Sequence, residues 1–267
     1  LDDMGAMMRR YVRRFPSGLW PDVQKRRAQN MARILERMGA TEDDWDDWHW
    51  QYRNVIKNGK TTDILKDVIK LSPGEEKAID LAVEHDVPFG VTPHYLHLMD
   101  FEPSEWDHAI RRQVFPPLDY VEAMAAHKCD REFAFDFMRE HDTSPVDLVT
   151  RRYPKVAIIK PYDSCPQICV YCQRNWEIVG PLQEGAMAPR EKVEEALDWF
   201  GETDQIIDVL LTGGDPLAMS DRRVEHMLRR LSEFPHIRSI RIATRAPVTV
   251  PQRVTSDLAE IFATYYE

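Results

Sequence analysis

The chain has 267 residues, with 45 acidic and 35 basic side chains and a formal net charge of −10. That length can bury one or two cores, and the acidic balance argues against a nucleic-acid partner, which asks for a basic face. No apolar run reaches membrane-spanning length and no signal-peptide pattern opens the chain, so sparse, clustered cysteines read as a reducing, cytoplasmic setting.

Residues Val23, Ala28, Met31, Ile34, Leu35 and Met38 recur at helical spacing, which predicts a helix over 21–38. Pro21 at its start and Gly39 at its end fit helix boundaries. A second helix is expected over 42–56, where Trp45, Trp48 and Trp50 read as packing rather than a ligand box. Ser72-Pro73-Gly74-Glu75 is a capping box that opens a helix to about Glu84. From 91 to 153 prolines punctuate loops and short helices, as in Thr92-Pro93-His94-Tyr95 and Phe115-Pro116-Pro117.

From Lys155 strand and helix alternate. Strands are expected over 156–159, 206–211 and 237–243. Helices are expected over 190–200, from Ser220 to about Phe234, and from Ser256 to the end. Crossover helices imply a parallel sheet with right-handed connections. The fold class expected is therefore α/β: an N-terminal helical region over 1–150, then the first βα units of a partial parallel barrel over 151–267. Three strands cannot close a barrel and leave an unpaired edge after Ile242. With Leu rather than Met at position 1, this makes a C-terminally truncated chain the expectation.

Ligands gather at the carboxyl ends of strands in such folds. The special segments obey that rule. Cys165, Cys169 and Cys172, spaced C-x3-C-x2-C, follow the first strand. Thr212-Gly213-Gly214-Asp215-Pro216 follows the second and Thr244-Arg245 the third. Three thiolates on one loop can hold three irons of a [4Fe-4S] cluster and leave the fourth open to a small molecule, whereas electron-carrying clusters usually have four cysteine ligands. The alternatives are zinc with a fourth ligand and inert thiols. No histidine lies between 145 and 192, and there is only one short ligand spacing. Cys129 reads as a free thiol. Tyr171 is placed to cover the cluster or only to pack. Gly213 and Gly214 let a ligand approach the backbone, and Asp215 offers an acceptor for an ammonium group; an ordinary turn is the alternative.

The C-x3-C-x-aromatic-C pattern resembles the signature of radical S-adenosylmethionine enzymes. A closer resemblance is to the lysine 2,3-aminomutase family. Its motifs are matched in order by Thr92-Pro93-His94-Tyr95-Leu96, Asp142-Thr143-Ser144-Pro145, Arg152-Tyr153-Pro154, Leu211-Thr212-Gly213-Gly214-Asp215-Pro216-Leu217 and Arg241-Ile242-Ala243-Thr244-Arg245-Ala246-Pro247. The resemblance runs from about Trp45 to the end. It implies S-adenosylmethionine on the open iron and one-electron cleavage to a 5′-deoxyadenosyl radical. It also implies an amino group moved from the α to the β carbon of an amino acid, with pyridoxal phosphate as a second cofactor. Carried over residue by residue, Gly213, Gly214, Asp215 and Arg245 line the S-adenosylmethionine site. Arg152 and Tyr153 lie near pyridoxal phosphate, and Arg174 reads the substrate carboxylate, for which a guanidinium fork is suited.

The stretch after the last cysteine departs from the arginine-rich family pattern. It reads Gln173-Arg174-Asn175-Trp176-Glu177. The lysine that would carry pyridoxal phosphate lies beyond the family's third strand and has no counterpart in this chain. The expected partners are an amino acid substrate and an electron donor, with self-association as in the family and with neither nucleic acid nor membrane. The other readings are a radical S-adenosylmethionine enzyme of another reaction type without pyridoxal phosphate, and an inert, metal-stabilised fragment.

Overall fold

The computed structural model describes residues 1–12, 15–57, 62–178 and 180–265. The helix signals of the first region are realised. Pro21–Met38 is one helix with Pro21 in its first turn, and Gly39 closes it in the left-handed conformation, φ 64°. Ser72 and Glu75 cap each other at the head of Pro73–Glu84.

The helix expected over 42–56 is two. Glu42–Asp46 and Trp48–Arg53 meet at Asp47, whose backbone is extended and whose carboxylate accepts from the His49 N–H at 2.8 Å. An aspartate that can cap breaks a helix that tryptophan periodicity would continue. The end of the expected helix is instead a strand, β1 (Ile56–Lys57), paired antiparallel with β2 (Gly90–Val91).

The tryptophans pack. Trp45 and Trp50 are buried in a core built from residues 34–115. Arg253, wholly buried, places its guanidinium over the Trp48 ring at 4.7 Å and donates to the Leu217 and Met219 carbonyls at 2.9 and 3.1 Å. That one side chain joins the helical region to the sheet region.

Trp45 also faces His94 and His97. Burial holds both imidazoles neutral, His94 down at about 3 and His97 at about 4. For His94 the neighbouring His97 and then Arg27 add to the effect; for His97, Arg27 adds and a contact to the His94 carbonyl opposes. An unfolded chain protonates both from about pH 6.5 downward, and the folded chain does not. Stability should therefore fall as pH drops below 6.5, by about 1.4 kcal/mol per histidine for each pH unit, until the folded values are reached. Urea midpoints between pH 7 and 5 check this: the slope should flatten in a His94→Asn/His97→Asn variant.

Beyond residue 148 a four-stranded sheet forms in the order β3 (Val149–Thr150), β4 (Val156–Tyr162), β5 (Asp208–Gly213), β6 (Ser239–Ile242). β4, β5 and β6 are parallel, as expected, and β3 adds an antiparallel edge that two residues are too few to announce. β4 runs three residues past the expected strand. It accommodates Pro161, which has no N–H to donate, at a register shift between Ile159 and Tyr162. Helices Arg190–Glu202 and Asp221–Ser232 connect the parallel strands. Val193, Ala196, Leu197 and Phe200 pack with Met227 and Leu231 on Ala157, Ile159, Val209 and Leu211. Ser220 stands before its helix but makes no side-chain cap. The last helix, Ser256–Thr264, is capped by Thr255 rather than Ser256. The chain is thus α/β, helices first and then the opening βα units of a partial barrel. Among the described residues no helix is long and apolar enough to cross a membrane.

Candidate metal centre

The carboxyl ends of the three parallel strands meet. β4 leads through Asp163 and Ser164 into the cysteine loop, β5 ends at Gly213, and β6 leads into Thr244-Arg245. Between them lies a cavity of about 450 Å³ lined by all three cysteines of the triplet, Tyr171, Gly213–Asp215 and Arg245. Two larger clefts, of about 860 and 890 Å³, lie between the two outer helices and along the free side of β6, and neither contains a cysteine. Size does not mark the site; the convergence of donors does.

The turn after β5 is clasped to the end of β4. Gly214 N–H donates to Tyr162 O and Asp215 N–H to Ser164 O at 2.9 Å. A Cβ on Gly214 would stand 2.0 Å from the Ser164 carbonyl oxygen, and one on Gly213, at φ 111°, 2.6 Å from that of Tyr162. The two glycines therefore hold two backbones in contact directly before Cys165.

Asp215 is buried, and both its oxygens are occupied. Oδ1 accepts from Leu217 N–H at 2.9 Å and Thr244 Oγ1 at 2.6 Å; Oδ2 accepts from Arg245 N–H at 2.9 Å. Burial pushes its carboxyl up, against the pull of these donors. In this arrangement the aspartate splices the end of β5 to the end of β6, and Thr244 emerges as a site residue. Its sequence signals are its position after a strand and its place in the Arg241–Pro247 motif.

The cysteine loop rests on the helical region. Ile168 N–H donates to Gly90 O at 3.1 Å and Val170 N–H to Gln113 O at 2.9 Å. All three cysteines of the triplet are free thiols, and Cys129 is free and exposed. Burial pushes Cys165 well up, with Asp215 and the other two sulfurs adding to it, and burial also raises Cys172. A bound metal reverses that balance and ionises its thiols. Among the described residues no three His, Cys, Asp or Glu side chains converge tightly enough for a single metal ion. A four-iron cluster does not ask for such convergence, since each thiolate takes a different iron.

Gln167, between the first two cysteines, is 3 % exposed, lines the same cavity, and has no partner for either amide atom. A buried amide with nothing to bond is costly, about 1–3 kcal/mol per group, and a bound group supplies what the chain does not. Composition and spacing gave no reason to single it out. The donor set, the glycine clasp and this orphaned amide together fit a cluster.

Arg152, Tyr153 and Arg174 do not reach the cavity. Arg174 pairs with Glu140 at 3.0 Å and Glu177 at 3.2 Å. Lys160 pairs with the same two acids at 3.1 and 3.5 Å. Arg152 lies 3.6 Å from Glu140 and donates to Thr143 Oγ1 at 3.4 Å. Glu140, 2 % exposed, thus sits among three cations. The departures after Cys172 serve this network and its rim: Gln173 donates to Glu140, and Asn175 to the Tyr120 hydroxyl at 3.2 Å. Tyr153 is exposed, and Tyr171 stands exposed at the cavity rim. No lysine among the described residues lines the cavity.

Residues 159–266 match the family model of the Radical SAM superfamily. The chain is 49 % identical over 271 residues to an uncharacterised KamA family protein of Methanocaldococcus jannaschii, covering 99 % of this chain and 44 % of that protein. It is 35 % identical to the L-lysine 2,3-aminomutase of Clostridium subterminale, over 85 % of this chain and 51 % of that one. To the glutamate 2,3-aminomutase of Clostridioides difficile it is 31 % identical, over 92 % and 53 %. The chain spans about half the length of these relatives.

Proposed function

This chain belongs to the radical S-adenosylmethionine superfamily, in its lysine 2,3-aminomutase-like family, and on that premise we propose that it is the cluster-binding part of an enzyme that moves an amino group from the α to the β carbon of an amino acid. The observation that carries the proposal is the single cavity onto which the three free thiols, the Gly213-Gly214 clasp and the Thr244-Arg245 turn open. Cys165, Cys169 and Cys172 hold a [4Fe-4S] cluster, each on its own iron. The cluster with S-adenosylmethionine supplies one-electron cleavage of a sulfonium to a 5′-deoxyadenosyl radical.

The protein's own part is to hold and to exclude. Gly213 and Gly214 keep the floor of the cavity free of side chains. Asp215 fixes the Thr244-Arg245 turn, and Arg245 and Tyr171 form the wall on which the nucleotide docks. The family places a reader of the substrate carboxylate at Arg174, and that role is proposed from the family alone, since the side chain is engaged by Glu140 and Glu177 and does not line the cavity. Both aminomutase relatives named above act on amino acids, lysine in one and glutamate in the other. An external electron donor is the partner that the cluster, when bound, would require. Its oxygen lability fits the cytoplasm, and self-association is proposed from the family alone.

Pyridoxal phosphate is the second cofactor proposed. The residues described here do not compose its site: Arg152 is engaged with Glu140 and Thr143, Tyr153 faces solvent, and no lysine lines the cavity. The altered stretch after Cys172, Gln173-Arg174-Asn175-Trp176-Glu177, motivates a second reading, a radical S-adenosylmethionine enzyme of another reaction type without pyridoxal phosphate.

The test is anaerobic reconstitution of the 267-residue chain with iron and sulfide. The expected product is a brown protein whose reduced electron paramagnetic resonance spectrum changes on addition of S-adenosylmethionine and which forms 5′-deoxyadenosine with dithionite. A protein that takes zinc without iron, or a spectrum indifferent to S-adenosylmethionine, sinks the proposal.

A further inference from the structure

Arg245 does more than line the cavity. Its guanidinium donates from Nη1 to the Cys169 sulfur. It stands 5.6 Å from the centroid of the Tyr171 ring, and Tyr95 lies beside it. Tyr95 comes from the helical region and is 4 % exposed. Its hydroxyl donates to the Ile110 carbonyl at 3.1 Å. Arg245 thus donates to Cys169 on one side and packs beside Tyr95 on the other, and the Tyr95 hydroxyl is itself fixed by its bond to Ile110. The backbone of Arg245 is anchored separately, its N–H on Asp215 at 2.9 Å. The helix that carries Tyr95 is tied down beside it, Thr92 Oγ1 donating to Thr249 O at 2.5 Å.

Resting on the reading of the cysteine triplet as a cluster site, we infer that Arg245 is a positioning residue that sets the reduction potential of the cluster through Cys169, and that Tyr95 holds its guanidinium in place to do so. Reduction adds a negative charge to a sulfur-bound cluster. A hydrogen bond and a positive charge at a ligating sulfur stabilise the reduced form and raise the potential. The guanidinium provides both, and it does so from a half-buried position where the interaction is less screened than at the surface. Tyr95 has no contact of its own to make with the iron. It removes the freedom of a long, flexible side chain, and so makes the helical region a determinant of how readily the cluster accepts an electron.

The experiment is a potentiometric titration of the reconstituted cluster, followed by electron paramagnetic resonance, in the unaltered chain and in Arg245→Met, Arg245→Lys, Tyr95→Phe and the Tyr95→Phe/Arg245→Met double variant. Iron and sulfide are counted in each. A charge-assisted hydrogen bond of ordinary strength amounts to about tenfold in an equilibrium. Arg245→Met should therefore cut the ratio of reduced to oxidised cluster at a fixed potential about tenfold, a move of ~59 mV to more negative values for one electron. Arg245→Lys, which keeps the charge and loses the fork, should fall between. Tyr95→Phe should move the same way by roughly two- to threefold, and in the double variant it should add nothing to Arg245→Met.

Shifts that add in the double variant overturn the assignment of Tyr95, because a merely structural effect through Ile110 would persist without Arg245. A full complement of iron with an unmoved potential in Arg245→Met overturns the assignment of Arg245. Should Arg245→Met fail to take up iron, Arg245→Lys and Tyr95→Phe decide in the same way. Failure of the underlying reading is distinct: it appears in the unaltered chain, as no cluster to titrate.

Discussion

Replacing any one of Cys165, Cys169 or Cys172 with alanine should abolish the cluster and leave the fold in place. Each thiolate serves its own iron, and alanine offers no donor in its stead. No other described cysteine is at hand, since Cys129 is exposed and does not line the cavity. The loop's backbone is held by other means, through Ile168 on Gly90, Val170 on Gln113 and Leu182 N–H on Cys165 O at 3.0 Å. The apolar core that carries the sheet contains no cysteine. Iron, sulfide and 5′-deoxyadenosine should therefore drop to background in all three variants while circular dichroism and the urea midpoint hold. Cys129→Ala should match the unaltered chain. Three alanine variants that kept their iron would end the proposal.

A comparable loss should follow from Gly214→Ala, which removes no ligand. The added methyl would meet the Ser164 carbonyl oxygen at 2.0 Å and its carbonyl carbon and nitrogen at 2.5 Å. These are backbone atoms and cannot swing aside. The end of β4 and the turn after β5 must part, breaking the bonds from Gly214 to Tyr162 and from Asp215 to Ser164. Overpacking of this kind destabilises by about 1–3 kcal/mol. The greater effect should be local, because Ser164 directly precedes Cys165. We expect Gly214→Ala to take up far less iron than the unaltered chain and to lose urea stability. Gly74→Ala, where a Cβ meets nothing within 4 Å, is the neutral control. Normal iron uptake in Gly214→Ala would show that the clasp does not shape the loop.

Much of this architecture is legible in the sequence because local chemistry and tertiary structure agree there. Pro21, Gly39 and the Ser72–Glu75 box mark helix ends by rules that act within four residues. Strand–helix alternation after Lys155 and the placing of special segments at strand ends follow from topology. What is not legible depends either on a competing local signal or on distant partners. Asp47 breaks a helix because its carboxylate finds a nearby N–H, which tryptophan spacing conceals. Arg174 looks like a carboxylate reader in its own segment. Its actual carboxylate partners are Glu177, three residues on, and Glu140, which only folding brings to its side. Asp215 reads as an open acceptor until the Thr244-Arg245 turn fills it. Tyr95 stands in the Thr92–Leu96 motif, but nothing local announces its place beside Arg245, and Gln167 carries no local signal at all, since a loop glutamine looks the same in any surroundings.

The two amides by which the iron loop leans on Gly90 and Gln113 have a consequence for how such chains can be recombined. The helices act as a jig in which the loop is bent to shape, and a jig is matched to its workpiece. A chimera joining the helices of one relative to the strands of another should carry metal only when both carbonyls stay in register with the loop. The natural unit of exchange therefore runs across position 150 rather than stopping there.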